Sequence, residues 1–486
     1  MYFAKKIIQL NLFNRDALLV LSVKVIRTFV QYRLLPWLIW GTWAVLLIIP
    51  LTHTIRWGNP YPYSDEFSLI PYVIGENQVS ASWLWEQHTD HRIPLPKALW
   101  VATLRISNLD FRFCVLLNIL LLGATTAFML FTLRRIRHHY SIWDLSLLFL
   151  FFNLGFLLFR WGFSLPFLSS TLLLCSTGCA LMLAFSSDKS MQAKWLLLAS
   201  VSMVAQPLCG MNGLVSGVIM ALAVIFLYVK KSIALANRGV LVLVIAACLT
   251  CLLSIMILLQ YKPSGAFNYT ALSLGGFFSY FLRLLASPLL VWYPDKLPFK
   301  LILISFLLGG AGLVIVKNWE FTNDQSDRCR VQMYVMAAII LSCLANAIAI
   351  AFGRSAAIPW SHGLETHYGF LIVPMFFFSW WLISSCLDNP LKHVAGALLL
   401  IAALLSYKSH LDGLSIFVIN NFEHQILAVT RDILNHTSIN TLVERHIRFF
   451  FYVDNEQARA LVKSGLESLS TQQSTIYANL ASPWRY

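Results

Sequence analysis

Long apolar runs alternate with short polar stretches along most of the chain. A run of about twenty apolar residues can cross the roughly 30 Å hydrocarbon core of a bilayer as an α-helix. The candidate runs cover residues 35–53, 113–133, 143–160, 165–185, 195–207, 211–229, 239–259, 300–316, 331–351, 369–387 and 391–408. Because only helices and closed barrels span membranes, the pattern predicts an all-α, polytopic bundle of about eleven transmembrane helices.

One pair of runs has two interpretations. Runs 195–207 and 211–229 are separated by a stretch that contains Pro207, Gly210 and Gly213. Proline removes a backbone donor and glycine lowers helix propensity, so the helix is expected to be interrupted here. Residues 195–229 therefore form either two spans or one broken helix.

The two ends of the chain differ from this central domain, residues 35–408. Residues 1–34 combine a short apolar stretch with several cations, which predicts a cytosolic segment at the membrane surface. Residues 409–486 are less apolar, and NNFEHQILAVTRDILNHT and NEQARALVKSGLESL have the periodicity of amphipathic helices. We expect this tail to form a small helical region.

The composition agrees with a membrane protein. With 58% hydrophobic and 12% charged residues, the chain is neither an ordinary soluble domain nor disordered. Its net charge of +14 does not indicate a nucleic-acid partner, because the cations collect in loops such as RRIRHH and KKSIALANR. Cytoplasmic loops carry such an excess of Lys and Arg. The predicted topology has a cytosolic N-terminus, a periplasmic loop 54–112 and a periplasmic C-terminus.

The loop 54–112 is too long and too rich in ionisable residues for a simple connector. Its apolar residues are broken up, which predicts helices lying along the membrane interface. Its ionisable residues include Asp65, Glu66, Glu86, His88, Asp90, His91, Arg92 and Lys97. On a helix, His88 and His91 would share a face, and with Asp90 or Glu66 they could bind a divalent metal ion. Hydrogen bonding at the membrane interface is the simpler interpretation.

Three stretches carry a resemblance to a known superfamily. They are YSDEF (63–67), WLWEQHTDHRIPLPK (83–97) and FGRSAAIPWSHGLETHY (352–368). With the long loop after the first span, they resemble the GT-C superfamily of membrane glycosyltransferases. In size and spacing the chain is also similar to phage-encoded O-antigen glucosyltransferases that change bacterial serotype. It departs from the family pattern at Thr366-His367-Tyr368, where Ser-Arg-Tyr is expected.

The resemblance implies an inverting transfer of a sugar, glucose by best guess, at the outer face of the bacterial inner membrane. The implied donor is a polyprenyl-phosphate sugar, and the implied acceptor is a glycan or lipid-linked molecule such as O-antigen, with membrane lipids as further partners. No cofactor is certain, and a divalent metal is possible.

The resemblance also assigns roles to residues. Asp65 would act as the base on the acceptor hydroxyl, and Glu66 would orient the acceptor or raise the pKa of Asp65. The residues expected to bind substrate or the leaving phosphate are His88, His91, Arg92, Lys97, Arg354, His367 and Tyr368. Without the resemblance, the acidic pair would be interpreted as a solvated turn or a helix cap, and the arginines as headgroup anchors.

Two other functions compete with this one. A multi-pass transporter would place ionisable residues or broken helices at mid-membrane, and the break near Pro207 is the feature that fits it. An O-antigen polymerase or ligase would also use lipid-linked sugars, with its large loop late in the chain. Here the acids follow the first span.

Overall fold

The computed structural model describes residues 34–153, 161–230, 233, 238–263, 273–289, 297–320, 327–356, 366–386, 390–413 and 423–470. Within these ranges the regular structure is helical, apart from one isolated antiparallel bridge between His88 and His91. The all-α prediction is therefore confirmed for the described part of the chain. The expected surface segment 1–34 lies outside the described residues, except for Leu34.

Eighteen α-helices follow one another along the described chain. They are α1 (Leu35–Trp57), α2 (Ile70–Ile74), α3 (Ala81–Trp85), α4 (Pro94–Ile106), α5 (Arg112–Arg137), α6 (Leu145–Phe151), α7 (Leu165–Ala184), α8 (Lys189–Ala205), α9 (Met211–Val229), α10 (Arg238–Leu259), α11 (Leu274–Ala286), α12 (Leu297–Glu320), α13 (Asp327–Arg354), α14 (Thr366–Cys386), α15 (Pro390–Gly413), α16 (Glu423–Leu434), α17 (Ile439–Phe450) and α18 (Glu456–Ser470). Short 3-10 helices lie between several of them.

Among the described residues, nine helices are long and apolar enough to cross a membrane. They are α1, α5, α7, α9, α10, α12, α13, α14 and α15. Two of the predicted runs are not in this set. For 143–160 the structure describes only a short apolar helix, Ile142–Phe151, and residues 154–160 lie outside the described ranges. For 195–207 the structure has α8, whose 17 residues are fewer than a span needs by this measure.

The interrupted stretch 195–229 forms two helices that reverse direction. A 3-10 turn, Gln206–Cys209, follows α8, and Gly210 adopts a positive φ of 103° before α9 begins. Gly217, nearly two turns into α9, packs against Pro207, so α9 runs back beside the turn. The chain therefore makes a helical hairpin here and not one bent helix.

Contacts define two ends of the helical bundle. At the first end, which we call the loop end, Arg112 donates to the carbonyl oxygen of Ile55, so α5 begins where α1 ends. At the opposite end, which we call the Arg137 end, Arg137 at the end of α5 donates a hydrogen bond of 3.0 Å to Ser384 near the end of α14. Residues 58–111 lie at the loop end.

The tail helices pack on the loop residues 58–111. Phe450 of α17 makes an edge-to-face contact with Phe67, with ring centroids 5.8 Å apart. The hydroxyl groups of Tyr61 and Thr430 are 2.7 Å apart, and Ser468 donates to Glu76 over 2.8 Å. Aromatic pairs of this kind add about 0.5–1.5 kcal/mol each beyond the area they bury. The described tail thus belongs to the same folded unit as the loop.

Gly465 of α18 is the closest point of this contact. A Cβ atom added there would lie 2.6 Å from Phe67 and 3.1 Å from Ile70. Gly465→Val is therefore expected to destabilise the docked tail by about 1–3 kcal/mol through overpacking. Limited proteolysis should then cleave residues 423–470 faster than in the wild type. The neighbouring exposed position provides the control, Ser464→Val, and equal cleavage of all three proteins would contradict the contact.

Candidate functional site

The acidic pair of the loop lies on a short 3-10 helix, Ser64–Leu69, at the loop end of the bundle. Glu66 is buried, and its side chain accepts hydrogen bonds from the backbone N–H groups of Tyr63 over 2.8 Å and of Phe163 over 3.2 Å. The backbone of Gly162 donates to it as well. Glu66 therefore fastens the 3-10 helix Ser64–Leu69 to the 3-10 turn Gly162–Ser164 that precedes α7.

Gly162 is required for this close approach. A Cβ atom there would lie 2.8 Å from Oε1 of Glu66 and 2.5 Å from Cβ of Cys114.

Burial raises the pKa of the Glu66 carboxyl well above its usual range, and the three backbone donors oppose that shift. Its hydrogen bonds give Glu66 an anchoring role, and its expected role towards an acceptor stays a prediction.

Asp65 differs from its neighbour because its side chain is not held by the backbone of α7. Desolvation raises its pKa from 3.8 to about 6, while the positive charge of Arg354 acts in the opposite direction. A carboxylate with a pKa near 6 is mostly ionised at pH 7 and still basic enough to take a proton. Asp65 therefore has the electrostatic properties of a general base.

Arg354 is the charged centre of this region. It ends α13 and forms a side-chain hydrogen bond with Tyr368 of α14. Its charge interacts with those of Asp65 and Asp90, which belong to the loop. The structure thus brings together residues from three of the stretches singled out in the sequence: 63–67, 83–97 and 352–368.

The sequence and the fold were compared with those of known proteins. No family model, no curated protein and no solved structure matches the chain. The resemblance to the GT-C superfamily therefore stays a hypothesis, which rests on the residues and on their placement.

His88 and His91 do not share a helical face. They flank a tight turn, in which the N–H of His88 donates to the carbonyl of His91 over 2.7 Å and the reverse bond measures 2.9 Å. The expectation of an i, i+3 helical pair is wrong because Thr89, between them, adopts a positive φ of 48°. The hairpin instead turns both imidazoles into the protein.

Burial determines the charge state of both imidazoles. Desolvation lowers the pKa of each to about 4, helped at His88 by the charge of Lys97 and at His91 by that of Arg354. Both rings are therefore neutral at pH 7. They can donate or accept hydrogen bonds to a substrate, but they add no positive charge for a phosphate.

Arg92 and Lys97 are engaged by backbone carbonyls. Arg92 donates to Trp85 over 2.5 Å and to Gln260 over 2.8 Å, which ties the loop to the end of α10. Lys97 donates to Trp83 over 3.0 Å and to Glu86 over 2.8 Å, and its ammonium lies 4.9 Å from the Trp83 ring centroid. Desolvation lowers the pKa of Lys97 to about 8. Both residues hold the loop in place, and phosphate binding by them stays a prediction.

His367 lies among aromatic rings beside Arg354. Its ring centroid is 5.2 Å from that of Trp161, 4.9 Å from that of Phe167 and 4.1 Å from that of Tyr368. Its buried Nδ1 atom has no hydrogen-bond partner. The structure thus leaves a buried polar atom of His367 unsatisfied among aromatic rings, and binding of substrate by His367 and Tyr368 stays a prediction.

Sequence reasoning missed one contributor to this region. Tyr452, just after α17, is half exposed, and its pKa is raised by burial and by the charge of Asp65, with Arg354 acting in the opposite direction. It therefore lies within electrostatic reach of both residues. Nearly four hundred residues separate it from Asp65 along the chain, and no motif marks it.

A metal centre receives no support from the described geometry. Within the ranges that the structure describes, no group of three or more His, Cys, Asp or Glu side chains is placed to bind a metal ion. The suggested set of His88 and His91 with Asp90 or Glu66 is therefore not assembled as a cluster of ligands.

The anchoring role of Glu66 can be tested through stability. Glu66→Gln replaces one acceptor oxygen by an NH₂ group that faces backbone donors, and a buried unsatisfied group costs about 1–3 kcal/mol. The variant is expected to unfold at a lower temperature in detergent than the wild type. Glu86→Gln, at an exposed position of the same loop, is the control. Equal unfolding temperatures for all three proteins would contradict the anchoring role.

Proposed function

We propose that the protein is an inverting glycosyltransferase that moves a sugar from a polyprenyl-phosphate donor to a glycan or lipid-linked acceptor. The observation that supports this best is that the charge of Arg354 acts on Asp65 at one end of a bundle of apolar helices. A partly buried carboxylate with a pKa near 6 lies there within electrostatic reach of a guanidinium. The reaction needs both a base and a positive charge.

Asp65 acts as the general base in the proposed reaction. The acceptor hydroxyl attacks the anomeric carbon, the bond from that carbon to the phosphate oxygen breaks, and the hydroxyl proton passes to Asp65. Inversion follows because one displacement occurs on the face opposite the leaving group. The polyprenyl phosphate leaves with the electron pair of the broken bond, so it needs no strong acid.

Arg354 binds the phosphate group of the donor in the proposed reaction. A guanidinium offers planar, two-point hydrogen bonding to phosphate oxygens and stabilises the charge that grows on the leaving group. Its neighbours Tyr368 and His367 extend the same surface. Arg92 and Lys97 bind backbone carbonyls, whereas the charge of Arg354 acts on Asp65, which makes Arg354 the preferred candidate among the predicted cations.

The proposed location is the inner membrane of a bacterium, with the loop end facing the periplasm. The Arg137 end carries basic residues: Arg134 and Arg135 lie in the last turn of α5, and Lys230 directly follows α9. An excess of Lys and Arg is typical of the cytoplasmic side of a membrane protein. A donor with a lipid tail stays in the bilayer while its head reaches a site at the membrane surface. Glucose and O-antigen are the preferred sugar and acceptor.

Sugar transfer by the reconstituted protein tests the proposal. Proteoliposomes receive polyprenyl-phosphate-glucose and a lipid-linked O-antigen acceptor, and mass spectrometry follows the extended glycan and the released polyprenyl phosphate. Parallel reactions contain other polyprenyl-phosphate sugars. Transfer with inverted anomeric configuration supports the proposal. The proposal fails if a well-folded protein transfers no sugar from any of these donors.

The transporter alternative finds less support in the described helices. The charged side chains of the nine long helices lie near helix ends. The helix interruption at Gln206–Cys209 is followed by Gly210, which packs against Ile93 of the loop. The interruption therefore lies at the loop end of the bundle, where it forms the turn of a helical hairpin. A carrier would instead be expected to place charges at mid-membrane.

A further inference from the structure

The docked tail presents a half-exposed aromatic side chain close to the acidic pair. Tyr452 follows α17, and 53% of its surface is exposed. Its ring stacks on that of the buried Phe451, with ring centroids 5.0 Å apart and 21° between the ring planes. Phe451 therefore supports the ring of Tyr452, while the exposed part of Tyr452 stays open to a ligand.

One ring contact fixes where Tyr452 lies. Phe67 follows Asp65 by two residues, and its ring meets that of Phe450 edge to face, with centroids 5.8 Å apart. Tyr452 in turn follows Phe450 by two residues. Electrostatic interactions also join the phenol of Tyr452 to Asp65 and to Arg354. The docked tail thus holds Tyr452 next to the candidate base.

Polar contacts hold the segment 451–455, which carries Tyr452 between α17 and α18. Arg448 of α17 donates to the carbonyl oxygen of Tyr452 over 3.4 Å. The carboxylate of Asp454 accepts hydrogen bonds of 2.6 and 3.1 Å from Arg459 of α18. Because both flanking helices bind the segment, its shape is set before a ligand arrives, which reduces the entropic cost of binding.

Arg354 and Tyr452 approach Asp65 from different parts of the fold. Arg354 ends α13, which is long and apolar enough to cross a membrane. Tyr452 belongs to the tail, whose helices α16, α17 and α18 are not candidate spans and which packs on residues 58–111. A donor with a lipid chain is confined to the membrane, whereas the tail offers a surface outside the candidate spans. An inverting displacement suits this separation, because the nucleophile attacks the face opposite the leaving group.

We propose that Tyr452 binds the acceptor glycan and directs its hydroxyl group towards Asp65, an inference that rests on the glycosyltransferase function proposed above. A sugar ring has faces of C–H groups and edges of hydroxyl groups. A tyrosine side chain matches it with an aromatic face and one hydroxyl group. The acceptor proton still passes to Asp65, and Tyr452 takes no part in making or breaking bonds. Tyr452 is thus an acceptor-binding residue.

Steady-state kinetics in proteoliposomes tests the two substrates separately. The lipid-linked O-antigen acceptor is varied at a saturating concentration of the polyprenyl-phosphate sugar that the wild type transfers, and the donor is then varied at saturating acceptor. Tyr452→Ala is expected to raise the KM for the acceptor about tenfold, through loss of one aromatic contact, and to leave the KM for the donor unchanged. Tyr452→Phe keeps the ring and should recover most of the acceptor affinity.

Leu434→Ala is the matched control, because Leu434 is also half exposed but precedes α17, whereas Tyr452 follows it. Thermal unfolding verifies that each variant folds. A raised KM for the acceptor in Tyr452→Ala, absent from the control, supports the proposal. The same acceptor KM in all four proteins overturns it and leaves the glycosyltransferase function standing. A change that falls on the donor KM alone overturns it as well.

Photocrosslinking separates failure of this inference from failure of the proposed function, since it needs no turnover. An O-antigen acceptor that carries a diazirine is irradiated with the wild type and with Tyr452→Ala, and mass spectrometry locates the labelled peptide. Label on residues 448–456 that is weaker in Tyr452→Ala supports acceptor binding, even where the wild type transfers no sugar. Label elsewhere, or no label, overturns the proposal.

Discussion

Asp65→Asn is expected to lower the rate of sugar transfer by about 10²- to 10⁴-fold, the usual contribution of a positioned general base. Asparagine keeps nearly the same shape but cannot accept the hydroxyl proton. Transfer from the polyprenyl-phosphate donor measures the loss in proteoliposomes. Glu86→Gln, on the same loop with an exposed side chain, controls for the removal of a negative charge. Full activity of Asp65→Asn beside an active wild type would remove Asp65 as the base.

A stability measurement separates loss of chemistry from loss of structure. Burial raises the folded-state pKa of Asp65 to about 6 from an ordinary 3.8, so the folded protein holds this proton more tightly than the unfolded chain. The carboxyl group therefore weakens the fold as the pH rises from about 4 to above 6. Asp65→Asn lacks this effect. It should unfold at the same temperature as the wild type near pH 4 and at an equal or higher temperature at pH 7.

The second large effect is expected from Arg354→Gln. Loss of the guanidinium removes the proposed phosphate partner, and removal of one such group from a preorganised site typically costs about 10²- to 10³-fold in rate. The effect should fall on kcat/KM for the lipid-phosphate donor. Arg354→Lys keeps the charge without the planar two-point geometry and should recover part of the activity. Arg56→Gln, an exposed arginine at the same end of the bundle, is the control.

The pH profile distinguishes this role from a purely structural one. Arg354 lowers the pKa of Asp65 in the wild type, so its removal raises that pKa. The wild-type kcat/KM should fall as the pH drops through about 6, since the base must be unprotonated. In Arg354→Gln this fall should move to higher pH. An unmoved profile with reduced activity would identify Arg354 as a lipid headgroup anchor and not as part of the site.

The fold class followed from hydropathy, because length and apolar character decide whether a helix can span a bilayer. Nine of the predicted runs match helices that meet this requirement. At 195–207 the structure has the shorter helix α8, which ends at the 3-10 turn Gln206–Cys209 and is therefore not among the nine. Hydropathy could not choose between one and two helices at 195–229, since the positive φ of Gly210 and its packing against the loop are tertiary features.

The candidate site was only partly visible in the sequence. Local stretches marked Asp65 and Arg354, and the fold brings them within electrostatic reach. The bond from Phe163 to Glu66 depends on how the loop packs against the residues before α7, which no local pattern encodes. The turn between His88 and His91 is local, but its positive φ lies at Thr89, a residue type that does not mark such a conformation. Tyr452 could not have been found, because it joins the region only through the docking of the tail.

The docking of the tail has a consequence for biosynthesis. Asp65 follows α1, whereas Tyr452 follows α15, and seven other long helices of the described ranges lie between them. The contacts of α17 and α18 with Phe67 and Ile70 can therefore form only after all of these helices have been synthesised. A chain that ends before α17 therefore lacks the ring of Phe450 against Phe67, next to the acidic pair. The region around Asp65 is thus completed only once α17 and α18 have been made and have docked.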